Sequence, residues 1–263
     1  MSTLQTKAAA EASVAGKPVR LVGRVVEALD PRMRIAGAVL AVVTVVALQS
    51  LWSKFAALVL IATFTAAVAP DLRLVMRRLA HVEGFMVVLL LLLPFTVPGT
   101  EIARFGYFAV TDRGLARAVS VVLSVNAAVL AVLALLATLE PARLTRGLGA
   151  LGLPTALTHL LFFLIRYLGI FRDELAQSLQ SMRARGFAPR LSRHTLRSYG
   201  NLAGMLLVRS IERAERVDEA MRCRGFSGRF PMRAPRPLDP IDYRFAAISV
   251  AAALALLIMD RLL

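Results

Sequence analysis

The residues in this chain best placed to do chemistry are arginines. Met182-Arg183-Ala184-Arg185-Gly186-Phe187 and Met221-Arg222-Cys223-Arg224-Gly225-Phe226 agree at five of six positions and lie 39 residues apart. A guanidinium at a helix tip can enter a groove on another protein and hold a carboxylate by two parallel hydrogen bonds. The plainer reading is two well-capped helices. Phe171, Leu175, Leu179 and Met182 precede the first glycine, and Leu207, Ile211, Ala214, Val217 and Met221 the second, at a period near that of an α-helix. A glycine just past such a stripe supplies the left-handed conformation that closes a helix. With Gly186 at C′, Met182 falls at C3 and Phe187 at C″, and Met221 and Phe226 pair in the same way. Arginine suits the negative end of the helix dipole. This explains methionine, glycine and phenylalanine. It leaves open why arginine stands before the glycine in both copies.

Other chemistry is thin. His81, His159 and His194 lie far apart with no carboxylate pair, the pattern of surface or packing histidines rather than metal ligands. The single cysteine, Cys223, excludes an internal disulfide and offers no metal cluster. Because it replaces Ala184 of the first copy, a small buried residue is expected there. No Gly-x-x-x-x-Gly-Lys-Ser/Thr loop is present, and Gly147, Gly149 and Gly152 lack the strand context of a dinucleotide site. No serine–histidine or cysteine–histidine arrangement is discernible. The chain is therefore expected to be no enzyme and to hold no metal or cofactor. If it uses ATP, a partner must bind it.

What must position the arginines is a set of membrane helices. Of 263 residues 57% are hydrophobic, yet the formal net charge is +15. An ordinary soluble domain is not both. The long apolar runs favour a membrane protein with arginine-rich cytoplasmic segments over a nucleic-acid binder. The expected fold is all-α, a polytopic membrane helix bundle with cytoplasmic amphipathic helices. Spans are read at Ile35–Leu51, Phe55–Ala69, Phe85–Val97, Leu115–Leu139 and Phe245–Met259, some needing their flanks to reach the roughly 20 residues a crossing takes. Asn126, inside the fourth, is expected to hydrogen-bond a neighbouring helix. Thr100–Arg113 reads as an outer loop.

Arginine in the tail, at 71–81 and in 141–236 places those segments in the cytoplasm. Thr155–Ile170, apolar but holding His159 and Arg166, is then read as lying along the interface, which gives five spans; six result if it crosses. The expected organisation is a cytoplasmic tail (1–30), a four-span bundle (31–140), a coupling region (141–240) and a last transmembrane helix (241–263). At the first boundary, Leu29-Asp30-Pro31-Arg32 has aspartate as N-cap and proline as first helical residue.

The doubled X-Arg-Gly motif at the ends of two cytoplasmic helices resembles the signature of T components of energy-coupling-factor transporters, most of all the cobalt-type CbiQ subunits. Asp30-Pro31-Arg32, Leu151-Gly152-Leu153-Pro154 and Arg166-Tyr167 resemble that family in matching order. The resemblance implies a multi-pass protein of the cytoplasmic (inner) membrane that couples to a pair of ATP-binding-cassette ATPases. Ala184, Arg185 and Gly186, with Cys223, Arg224 and Gly225, would make the ATPase contacts. It further implies ATP and Mg bound by those ATPases, a substrate-binding membrane subunit (S component) as second partner, the lipid bilayer as surroundings and no nucleic acid. Cobalt uptake is the implied function, with nickel or a vitamin as alternatives. A stand-alone secondary transporter or channel is the competing class, and against it stands the lack of mid-membrane ionisable residues.

Overall fold

The computed structural model describes residues 21–68, 75–80, 84, 86–87, 90, 92, 101–105, 108–190, 192–226 and 237–262. The span expected at Phe85–Val97 and His81 lie largely outside them. Helices run α1 (Leu21–Ala28), α2 (Pro31–Ala47), α3 (Leu51–Val68), α4 (Asp112–Leu136), α5 (Pro141–Ala150), α6 (Thr155–Ala184), α7 (Arg193–Cys223) and α8 (Pro240–Leu262). The fold is all-α as expected, save one hairpin where a loop was expected. Its strands, β1 (Glu101–Phe105) and β2 (Phe108–Thr111), pair antiparallel with Phe105 opposite Phe108. By length and composition α3, α4, α6 and α8 can each cross a membrane. The chain divides into two compact units, Met1–Gly147 with Pro237–Leu263, and Leu148–Arg236.

The first unit is the helix bundle, and its two core layers give the helix directions. One layer holds Val26, Leu29, Ala38, Val68 and Leu135, with Phe64 and Phe245 packed on it. The other holds Val45, Leu48, Ala57 and Ala127, with Leu256 and Leu257. α2 and α8 thus run from the first layer to the second, and α3 and α4 run back. Val68 and Asp112 lie at opposite ends of the bundle. Small residues permit close approach: a Cβ on Gly37 would sit 2.9 Å from the Phe245 ring. Part of the stretch read as a tail belongs to this core. α1 is amphipathic, and Val26 and Leu29 at 3% and 1% exposure put its apolar face against α2, α3 and α4.

Asn126 and Arg34, both inside the bundle, each donate to a backbone carbonyl. Asn126 donates to the Val122 carbonyl of its own helix at 3.1 Å rather than to a neighbour, because the carbonyl one turn back is always within reach. Arg34 is fully buried; its Nε donates to the Leu135 carbonyl at 2.8 Å and its Nη2 reaches the Thr138 hydroxyl, so it closes the carbonyl end of α4. Asp30 caps α2 as its sequence predicts, accepting from the Arg32 amide at 2.9 Å and from the Arg32 side chain at 3.1 Å. Burial pushes the Asp30 carboxyl up, but the hydrogen bonds from Arg32 outweigh it and hold it below its ordinary value.

Candidate functional site

The second unit carries both arginine motifs. α6 is one unbroken helix of 30 residues whose first half is apolar nearly all round, with Leu157, Leu160, Phe162, Leu164 and Leu168 exposed. Thr155–Ile170 is therefore not a separate segment but the start of the helix that ends at the first motif. Phe163, Tyr167 and Phe171 recur every four residues and form a ladder of rings 6.2 and 6.4 Å apart. One turn beyond, Glu174 accepts from Arg209 and Arg213 of α7, both at 3.2 Å, and the Arg213 guanidinium lies 5.9 Å from the Phe171 ring centre. With Phe187 packed edge-on against Tyr199 at 5.6 Å, these contacts make α6 and α7 an antiparallel pair.

Both motifs close as their sequences require. Phe187 donates its amide to the Met182 carbonyl at 3.1 Å and Gly186 to Arg183 at 3.0 Å; Gly186 has φ +83°. Phe226 donates to Met221 at 3.1 Å and Gly225 to Arg222 at 2.9 Å; Gly225 has φ +81°. These are the two hydrogen bonds of a Schellman cap, in the register read from the sequence. Arg185 and Arg224 occupy the C-cap position itself, at φ −87° and −90°. Both are exposed.

The arginines on each tip have different surroundings. Arg222 is held by Asp218 one turn back at 2.8 Å, which accounts for an acid beside the apolar stripe: Asp218 is half exposed and paired along its own helix. Neither Arg185 nor Arg224 joins the ion pairs found among the described residues. Arg224 instead lines an open groove of about 350 Å³ along α7 with Arg213, Arg216, Val217, Ala220 and Met221. Cys223 is exposed, and so is Ala184, contrary to the expectation of a small buried residue. Position C1 of these helices faces solvent, so small size there answers to something other than the core.

Since α7 leads away from the first tip, the two tips stand far apart. From Tyr199, beside the first cap, to Arg224 at the second, α7 rises roughly 38 Å at 1.5 Å per residue. No surface groove of ordinary size takes both. Among the described residues no three histidines, cysteines or carboxylates gather as a metal site would require.

Sequence reasoning missed the polar junction at the foot of the bundle. Asp242 is 4% exposed, and its carboxylate accepts from the Asp30 amide at 2.9 Å and the Asp239 amide at 3.0 Å. A signal was available: Leu29-Asp30-Pro31 recurs as Leu238-Asp239-Pro240, the same helix start written twice.

A family profile described as a cobalt transport protein, CbiQ, matches residues 23–234. The chain is also 28% identical over 213 residues to the energy-coupling factor transporter transmembrane protein EcfT of Listeria innocua, covering 76% of this chain and 80% of that one.

Proposed function

This chain belongs to the CbiQ family of cobalt transport proteins, as a transmembrane T component of the energy-coupling-factor type, and we propose that it passes ATP-driven movement from a pair of ATPases to a substrate-binding membrane subunit. The observation that carries this reading is the pair of arginine-bearing tips. They share backbone and residue types, both are exposed, and they are separated by most of the length of α7. Two like tips so spaced suit two like partners, one groove each, with Arg185 and Arg224 entering and Ala184–Gly186 and Cys223–Gly225 making the contacts. ATP and Mg belong to the ATPases in this reading, and the chain itself is a non-catalytic subunit of the inner membrane.

The bundle favours five crossings over six. Gly147 sits against Pro31 and Ile35, and Asp239 is tied through Asp242 to Asp30. Leu148–Arg236 thus leaves and rejoins the bundle at one end and makes no net crossing. α6 cannot cross alone, and α7, laden with arginine, is no candidate to bring the chain back. The region between the tips then lies in the cytoplasm with the N-terminus, by the distribution of arginine. Cobalt as the cargo is supported by the description of the family; nickel or a vitamin is the alternative.

Purification from native membranes tests the reading. An ATPase pair and a second membrane subunit should accompany the chain, and metal uptake in cells lacking it should fall for cobalt. A lone chain that transports by itself would place it among secondary carriers.

A further inference from the structure

The repeated Leu-Asp-Pro start has no role in the reading above, and neither does Arg34. Both lie at the end of the bundle where the coupling region attaches. On the outgoing side, Arg34 grips Leu135 and Thr138 at the close of α4, and Gly147 of α5 fits so tightly that a Cβ would lie 2.9 Å from Pro31 and from Ile35. On the returning side, Asp242 holds the amide of Asp239, its own helix start, and the amide of Asp30. Both chain connections between the units are therefore fastened to the start of α2, its N-cap Asp30 and residues 31–35. The fastening is costly. Arg34 is wholly buried with no carboxylate among its hydrogen-bond partners, and its Nη1 makes no hydrogen bond among the described residues. Nothing in capping α2 calls for a buried guanidinium or for a carboxylate shared with α8, because Asp30 caps α2 by itself.

We propose that residues 30–35 are the fulcrum on which movement of the coupling region is turned into movement of the bundle, with Arg34 and Asp242 as positioning residues. The proposal rests on the coupling reading. A load entering through α5 and a load entering through α8 meet at the same helix start, so displacement of the coupling region tilts α2 instead of dissipating at two loose joints. The far end of α8 supplies the control. Asp260 accepts from the amides of Gln49 at 3.0 Å and Ser50 at 2.8 Å, fastening α8 to the loop between α2 and α3 with the same chemistry but away from the junction.

Asp242→Asn, Arg34→Met and Asp260→Asn should be compared in the full transporter in vesicles, reading ATP hydrolysed per substrate transported. The first two should raise that ratio about twofold to thirtyfold, the range spanned by measured coupling changes. Arg34→Lys should restore part of the loss, and Asp260→Asn should leave the ratio unchanged. An unchanged ratio with Asp242→Asn, or an equal rise with Asp260→Asn, overturns the proposal. Should Arg34→Met fail to insert, the isosteric Asp242→Asn decides. Hydrogen exchange on the chain alone in lipid separates this failure from failure of the coupling reading. Asp242→Asn should unprotect the Asp30 and Asp239 amides together, and loosening of one without the other refutes the shared fastening even if no ATPase accompanies the wild-type chain.

Discussion

Among the described residues three helices end in the same way, and two of them end in arginine. At the close of α5, Leu153 donates its amide to the Leu148 carbonyl and Gly152 donates to Gly149, both at 3.2 Å, with Gly152 at φ +98°. That is the Schellman pattern of the Gly186 and Gly225 caps. The residue before the glycine, however, is Leu151. The cap forms without a guanidinium, so neither hydrogen bonding nor the helix dipole demands Arg185 or Arg224. What the two arginine caps share beyond the α5 cap is a long helix behind them and an exposed cation at the tip.

The largest expected effect breaks the two arginine caps as a pair. Arg185→Ala with Arg224→Ala should abolish transport or ATPase association while the chain still inserts. Loss of each buried arginine–carboxylate contact typically costs about 2–5 kcal/mol. Lysine should rescue in part, lacking the forked donors. Arg183→Ala with Arg222→Ala should do much less, since residues two apart on a helix point about 200° away from each other. Equal damage from both pairs, measured by co-purification, would reduce the motif to general basic charge.

Next comes the side of the membrane on which the tips lie. Ser192 stands between them as N-cap of α7, its Oγ accepting from the Thr195 amide at 3.2 Å. Ser192→Cys should be shielded from an impermeant reagent in sealed right-side-out cells. Labelling from outside would mean that Thr155–Ile170 crosses the membrane, giving six spans.

Alanine at the glycines tests the shared part. At Gly152, Gly186 or Gly225 it should weaken the local helix end by about 1–2 kcal/mol, the cost of a left-handed residue with a side chain. If the reading of the tips is right, hydrogen exchange should report similar fraying at all three, and transport should fall further at the two arginine caps.

Smallest is Asp218→Asn. Its pair with Arg222 is exposed and spans one helical turn, so thermal stability should change by no more than about 0.5 kcal/mol. The first copy has Leu179 at the corresponding place and no such pair, so ATPase association should be nearly indifferent to it.

The caps were legible because three of their residue types have local reasons: glycine for its backbone angle, methionine and phenylalanine for the two positions that a Schellman cap brings together. The start of α2 was legible for the same cause, Asp30 and Pro31 being neighbours that act on adjacent backbone. What escaped prediction was set by distance in sequence or by choice of partner. Asp242 acts on Asp30 across 212 residues, and no local pattern announces a shared carboxylate. Arg34 looks like one more basic residue beside a membrane span until α4 brings its last carbonyls down on it. Val26 and Leu29 follow a polar stretch, and their burial depends on a groove formed by three later helices. Cys223 and Ala184 match in size for a reason the packing of this chain does not supply.

The parallel pairing of α2 with α8 has a consequence for biosynthesis. α2 leaves the ribosome early, yet the carboxylate that takes its Asp30 amide and the Phe245 ring that fills the space beside Gly37 arrive only after the whole of Leu148–Arg236 has been made. Until α8 follows, neither the Asp30 amide nor the space beside Gly37 has its partner from that helix. The flank of α2 beside Gly37 and Asp30 is therefore covered only when α8 joins it, so the bundle closes an early-made helix against a late-made one.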